Sequence, residues 1–336
     1  MRTSVHRPAA MVMAAVLAGA VVTGVSPAAA ESSTCVATEL KLPAGTPSNV
    51  HSNLATSDAT GRYQVGSIQQ LDGSFTALLW TAGEPKVLDP VPGRASFVVD
   101  VNSRGVALGF TESADGLSRQ PWLYSNGRYR KLATPAGLAN ISAQALNDRG
   151  DVVGSGRDKA SGLSSVVVWP AAGKPRRLPA DGSATAADIN EAGVVIGNVS
   201  TAAGSFGLVW KRWHTLGQRV YGQDGASVWL RKLRGNWFVG VQTFYEGTIG
   251  GGLFTTLNTQ VVSFPNVLDG VNGSGDVAYS EGDKTIVARA DGTQYAIDAV
   301  GYNTVSYLFE RGSAYDAGGA RDYGFGRAVL WSGCAS

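Results

Sequence analysis

Asp100-Val101-Asn102-Ser103-Arg104-Gly105-Val106-Ala107-Leu108-Gly109 returns as Ala145-Leu146-Asn147-Asp148-Arg149-Gly150-Asp151-Val152-Val153-Gly154 and again as Asp188-Ile189-Asn190-Glu191-Ala192-Gly193-Val194-Val195-Ile196-Gly197. The shared core is an apolar residue, Asn, two variable residues, Gly, then a β-branched or apolar run closed by a second Gly. Asn favours the first position of a tight turn, and Gly supplies the positive φ that ends it. The β-branched flanks favour strands, so the element predicts a β-hairpin.

Weaker copies extend the pattern in both directions. Val271-Asn272-Gly273-Ser274-Gly275-Asp276-Val277 keeps its chemistry, Leu308-Phe309-Glu310-Arg311-Gly312 keeps its spacing, and Gly61 to Gly66 and Gly235 to Gly240 keep the paired glycines. The turn glycines fall at 61, 105, 150, 193, 235, 275 and 312, a repeat of about 42 residues. After each hairpin comes an apolar run ending in an aromatic residue, as in Ala77-Leu78-Leu79-Trp80, Val166-Val167-Val168-Trp169 and Gly207-Leu208-Val209-Trp210. A turn and a short segment ending in leucine follow, as in Lys86-Val87-Leu88 and Arg176-Arg177-Leu178. Four short strands per unit, without helices, predict an all-β, single closed β-propeller of about seven four-stranded blades, with six as the alternative count.

The ends of the chain predict how the ring closes. Cys35-Val36-Ala37-Thr38-Glu39-Leu40-Lys41-Leu42-Pro43 reads as a fourth strand with no preceding strands of its own, while the last unit stops after its third strand, at Trp331. The last blade is therefore expected to be completed by the N-terminal strand, which leaves no open sheet edge. Cys35 and Cys334, the two cysteines of the chain, flank the segments that should pair. In an oxidising compartment a disulfide between them is expected.

Residues 1–30 carry a different signal. Arg2 and Arg7 precede the apolar run Met11 to Val25, and Ala28-Ala29-Ala30 precedes Glu31. This pattern predicts a cleaved signal peptide over 1–30, with 31–336 as the propeller domain. The run is shorter than the roughly 20 residues that span a bilayer, so a secreted, extracellular product is expected, with no membrane partner. Loss of the two arginines brings the chain's 28 basic residues level with its 26 acidic ones, a balance that argues against nucleic acid as a partner.

The units resemble the HAF-type repeats of bacterial extracellular proteins, whose signature is Ile/Val-Asn-x-x-Gly-x-Val-x-Gly followed by an apolar-Trp segment. The likeness is strongest over 93–218, and over 219–333 it rests on spacing. It implies a secreted propeller-like repeat protein and carries over no activity or functional residue.

Chemistry-bearing residues are sparse. The mature chain keeps His51 and His214 alone, too few for a His-rich metal centre, and no Gly-x-Ser-x-Gly motif accompanies them. No cofactor is expected. Asp100 and Asp188 are candidates for paired carboxylates, but their recurrence two residues before the repeat's Asn favours strand-end capping. The repeat is most degraded between Lys211 and Tyr245, where aromatic and basic residues gather. Trp213, Trp229, Arg231, Arg234, Trp237 and Tyr245 are the candidate binding residues, suited to stacking sugars and pairing anions, with blade packing and solvated arginines as the competing and favoured account of the cluster. The sequence thus predicts a monomeric, non-catalytic recognition module for an extracellular polysaccharide or protein. The alternative is a carbohydrate-active hydrolase or lyase using carboxylates at the propeller channel.

Overall fold

A computed structural model describes residues 31–32, 36–89, 94–113, 118–256, 260–281, 284–289, 293–297, 302–311, 314–322 and 326–332. They form seven sheets, six of four antiparallel strands and one of five. Blade 1 holds His51–Ser57, Tyr63–Gln69, Phe75–Thr81 and Glu84–Leu88. Blade 2 holds Ser96–Val101, Ala107–Glu112, Arg119–Ser125 and Arg128–Lys131. Blade 3 holds Leu138–Leu146, Val152–Asp158, Ser164–Trp169 and Arg176–Arg177. Blade 4 holds Ser183–Ile189, Val195–Thr201, Gly204–Trp210 and Gln218–Val220.

The degraded third of the repeat folds by the same plan. Blade 5 holds Ser227–Arg234, Trp237–Thr243, Ile249–Thr255 and Gln260–Phe264. Blade 6 holds Leu268–Val271, Val277–Glu281, Lys284–Ala288 and Gln294–Ile297, and blade 7 holds Tyr302–Arg311, Ala314–Asp322 and Gly326–Ser332. Each blade's first strand touches the first strands of both neighbours, from blade 1 around to blade 7 and back. The first strands therefore surround the axis, and the ring is closed. A three-residue 3-10 turn, Gln223–Gly225, is the sole helical element among the described residues.

Every first strand is bulged at the same place. The register slips between Leu54 and Thr56, Val98 and Asp100, Ala143 and Ala145, Ala186 and Asp188, Leu230 and Lys232, Leu268 and Gly270, and Val305 and Tyr307. A bulge adds one unpaired residue and sharpens the local twist, which bends a strand around a narrow axis. It also explains the second glycine of the repeat. A Cβ on Gly154 would lie 2.1 Å from the carbonyl oxygen of Ser142, and the same conflict recurs at Gly66, Gly109 and Gly197. The second-strand glycine makes room for a first-strand carbonyl turned by the bulge.

Between blades, the aromatic residue ending the third strand fills the wedge. Trp80, Trp210 and Trp331 are almost wholly buried, each worth about 3 kcal/mol of apolar burial. The indole Nε1 of Trp169 donates to the carbonyl of Ala133 at 2.7 Å, and that of Trp210 to Pro179 at 2.8 Å. Both acceptors lie one residue past the leucine that ends the preceding blade's outer strand. Trp80 donates in the same way to Lys41 at 2.6 Å, one residue past Leu40.

That equivalence identifies the N-terminal segment as an outer strand. Val36–Glu39 pairs antiparallel with Gly326–Ser332, in the register Val36 to Ser332 and Glu39 to Val329. The Leu40 amide then donates to Ala328, as Leu132 does to Pro121 and Leu178 to Val166. The expected closure of the last blade is present. One feature was not anticipated: Glu31–Ser32 runs parallel to Gln294–Ile297, as a fifth strand on the outer edge of blade 6. The N-terminal segment thus covers two outer edges in succession. Cys35 and Cys334 lie outside the described residues.

Candidate functional site

In an up-and-down blade the turns between strands one and two and between strands three and four lie on one face, here called the turn face. The Asn-x-x-Gly turns sit there, around the mouth of the axis. In each, the Gly amide donates to the Asn carbonyl, at 2.9 Å for Gly105 and Asn102 and 3.0 Å for Gly150 and Asn147. The Asn Oδ1 accepts backbone amides further round its own turn, such as Val106 at 3.0 Å from Asn102 and Asp151 at 2.9 Å from Asn147.

The Asn side chain also does something its hairpin role does not require. Its Nδ2 reaches the next blade: Asn102 donates to the Asn147 carbonyl at 3.0 Å, Asn147 to Asn190 at 3.0 Å, and Asn190 to Gly235 at 2.6 Å. These buried side chains form a ladder that ties blades 2, 3, 4 and 5 together around the mouth. Full pairing of buried amides is what makes the ladder stabilising.

Asp100 and Asp188 lie just below. Asp100 accepts the amides of Val101 at 2.9 Å and, across the seam, of Leu146 at 2.7 Å. Asp188 accepts Ile189 at 2.8 Å and, across the next seam but one, Leu233 at 2.8 Å, and it pairs with Arg234 at 3.0 Å. Both carboxylates are buried and serve as inter-blade caps, in agreement with the structural reading of their recurrence. Burial pushes Asp100 up to about 6, opposed by the positive charge of Arg234 and reinforced by Asp188. Burial likewise lowers the Lys232 ammonium, against the pull of Asp188.

The axial mouth encloses about 140 Å³ and carries Asp58, Asp148 and Glu191 with Arg234 on its wall. Asp148 and Glu191 accept the amides of Ser103 and Asp148 respectively, each at 2.7 Å, a second and more exposed ladder beside the first. Glu191 is raised, chiefly by burial. Among the described residues no group of three or more His, Cys, Asp or Glu side chains is disposed to hold a metal ion.

The six residues expected to bind do not converge on one pocket. Trp229 is the third residue of the first strand of blade 5, in the half away from the turn face, and is 45% exposed. Arg231 is the bulged residue of that strand and faces Asp269 of blade 6 at 3.6 Å. Arg234 ends the strand at the axial mouth. Trp237 opens the second strand and lies over Gly275 of blade 6, where a Cβ would meet its ring at 2.8 Å. Tyr245 is fully exposed in the turn between the second and third strands, on the opposite face. Trp213 stands on the turn face, its Nε1 donating to Gly193 at 2.8 Å and Arg176 lying 5.9 Å from its ring centre. His51 and His214 are exposed at a strand start and in a turn.

Trp213 borders the groove that sequence reasoning missed. About 520 Å³ of open space runs between the turns of blades 3 and 4, walled by Arg149, Lys211 and Arg212, with Pro170, Ala171 and Ala172 beside them. Its signal in the sequence is Arg104 and Arg149, at the same one of the two variable positions in successive Asn-x-x-Gly turns.

No family model matches the chain, and no curated protein matches it. Solved structures do. U3-55K superposes with a TM-score of 0.58 at 14% identity, over 88% of this chain and 98% of its own. The β-propeller domain of the Trilobed protease from Pyrococcus furiosus, described as having an open velcro topology, gives 0.57 at 9% identity over 84% and 95%. YCF48 bound to D1 peptide gives 0.53 at 10% identity over 90% and 96%. At such identities the likeness is one of fold.

Proposed function

We propose that this chain is an exported, HAF-type recognition propeller that holds an extracellular polysaccharide or protein on its turn face without transforming it. The observation that carries this reading is the state of the axial carboxylates. Asp100 and Asp188 are spent on backbone amides of neighbouring blades and on Arg234, so neither is presented to a substrate as a free acid or base. Export is supported by the leader pattern at 1–30, and the pairing of Val36 with Ser332 supports a Cys35–Cys334 bond by bringing their chain neighbours together.

The second reading, a carbohydrate-active hydrolase or lyase, rests on Asp100: it borders the mouth cavity and its carboxyl is raised to about 6, a value suited to proton donation. One experiment separates the two. The mature protein is screened against immobilised glycans and secreted proteins, with released reducing ends measured alongside retention. Retention without turnover is expected. Turnover that disappears in Asp100→Asn would replace recognition by catalysis, and two free thiols in the mass of the exported protein would remove the disulfide.

A further inference from the structure

We propose that the turn face of blades 2 to 4 is a binding trench for an acidic polysaccharide, a linear glycan whose sugars carry carboxylates. This deepens the recognition reading and rests on it. Two grooves on that face, of about 520 and 590 Å³, share Arg149 and Ala171 and therefore adjoin. Their walls carry Arg104, Arg128, Arg130, Arg149, Lys211 and Arg212, all exposed. Among the described residues, Arg149 alone of these six is in an ion pair, with Asp151. Asp151 is also the one acid lining either groove, and its carboxylate is already met by Asn147, Arg149 and the Ala171 amide. The trench is thus a row of cations with its single anion neutralised.

The chemistry selects the ligand. Guanidinium groups present paired donors that match a planar carboxylate, and five of the six cations are arginines. Arg104 and Arg149 occupy the same turn position in adjacent blades, and each side chain crosses to the next turn: Arg104 lies over Gly150 and Arg149 over Gly193. Cations repeated at the spacing of the blades suit a polymer with repeated anions. Pro170, Ala171, Ala172 and Trp213 supply the apolar surface that the C–H faces of sugar rings prefer. A nucleic-acid duplex fits less well. Asp148 and Glu191 stand at the adjoining axial mouth, where a broad polyphosphate would meet like charge, whereas a single glycan strand stays within the trench.

The test uses the mature protein and measures affinity for polygalacturonate, with neutral dextran and a mixed-sequence DNA duplex as the other ligands, at low and high salt. Two charge-reversed variants, Arg128→Glu/Arg130→Glu and Lys211→Glu/Arg212→Glu, change exposed side chains and should keep the wild-type Tm. Each is expected to weaken polygalacturonate binding by about tenfold or more. Lys159→Glu, in a turn on the opposite face, should leave it unchanged, and high salt should weaken the wild type. No binding of polygalacturonate by the wild type, binding that both variants retain, or equal affinity for the duplex would overturn the proposal. Binding of dextran that the variants share overturns the acidic ligand and leaves recognition standing. Cleavage of polygalacturonate by a protein whose variants lose binding supports the trench while overturning the non-catalytic reading.

Discussion

Blades 2 to 4 and blade 6 carry similar turns, yet they are stitched into the ring differently. Asn102, Asn147 and Asn190 each close their own turn and also donate to the next blade. Asn272 of blade 6 closes its turn just as well, accepting Ser274 and Asp276 at 3.0 Å, and its Nδ2 turns back to Asp276 at 2.9 Å, as that of Asn147 does to Asp151 at 3.1 Å, but among the described residues it has no acceptor in the next blade. Among the described residues, the same residue in the same local motif therefore has two jobs in one region and one in the other. What distinguishes them is the neighbour: Asn190 finds the Gly235 carbonyl at the start of the degraded region, and the ladder ends there. A repeat signature that looks like turn chemistry is, over the well-matched blades, also the chemistry of the seams.

The largest test lies where the ladder stops. Arg234→Ala leaves the buried Asp188 carboxylate without its charge partner at the seam of blades 4 and 5, and should cost about 4 kcal/mol in denaturant unfolding. A loss near zero would mean that backbone amides alone satisfy Asp188. Next comes the direct comparison. Asn147→Ala removes a rung and a turn and should cost about 3 kcal/mol, while Asn272→Ala removes a turn alone and should cost about 2 kcal/mol, read from the same melts. Equal losses would show the ladder to be energetically idle.

The smallest effect is one of pH. The folded carboxyl of Asp100 is raised from 3.8 to about 6, so folding takes up a proton there. Its contribution to stability is fully present below about pH 4 and is lost as pH rises through 6. Asp158 behaves oppositely: Ser161, Arg177 and Ala160 hold it down at about 2, so its contribution is present above about pH 4 and lost as pH falls. Asp100→Asn should therefore flatten the fall in Tm between about pH 4 and 6. A slope unchanged by the substitution would place that proton elsewhere.

The propeller was legible because its signals are local. Paired glycines, the third-strand aromatic and the leucine-ended fourth strand each recur at a spacing that survives loop changes, and the lone strand at Val36 could be matched with the unit that lacked one. The fifth strand at Glu31–Ser32 was not legible: two residues with no pattern of their own pair through the backbone. Nor was the ladder, since an Nδ2 reaching across a seam leaves no trace beyond the Asn already explained by its turn. Trp213, Trp229, Arg231, Arg234, Trp237 and Tyr245 are neighbours in sequence, but a meander carries successive residues to opposite faces. The cations of the trench come instead from three blades, and proximity along the chain could not group them.

The strand that closes blade 7 has a temporal meaning as well. Val36–Glu39 is made before the first blade, and its partner Gly326–Ser332 is the last strand of the seventh. The pairing has almost the largest sequence separation the domain permits, so the entropy of joining the ends is met last and weighs on the folding rate. Until then every growing intermediate is an arc with two bare flanks, exposed to self-association. The ring becomes a ring in a single late event, and a chain cut short before Gly326 would have no way to complete it.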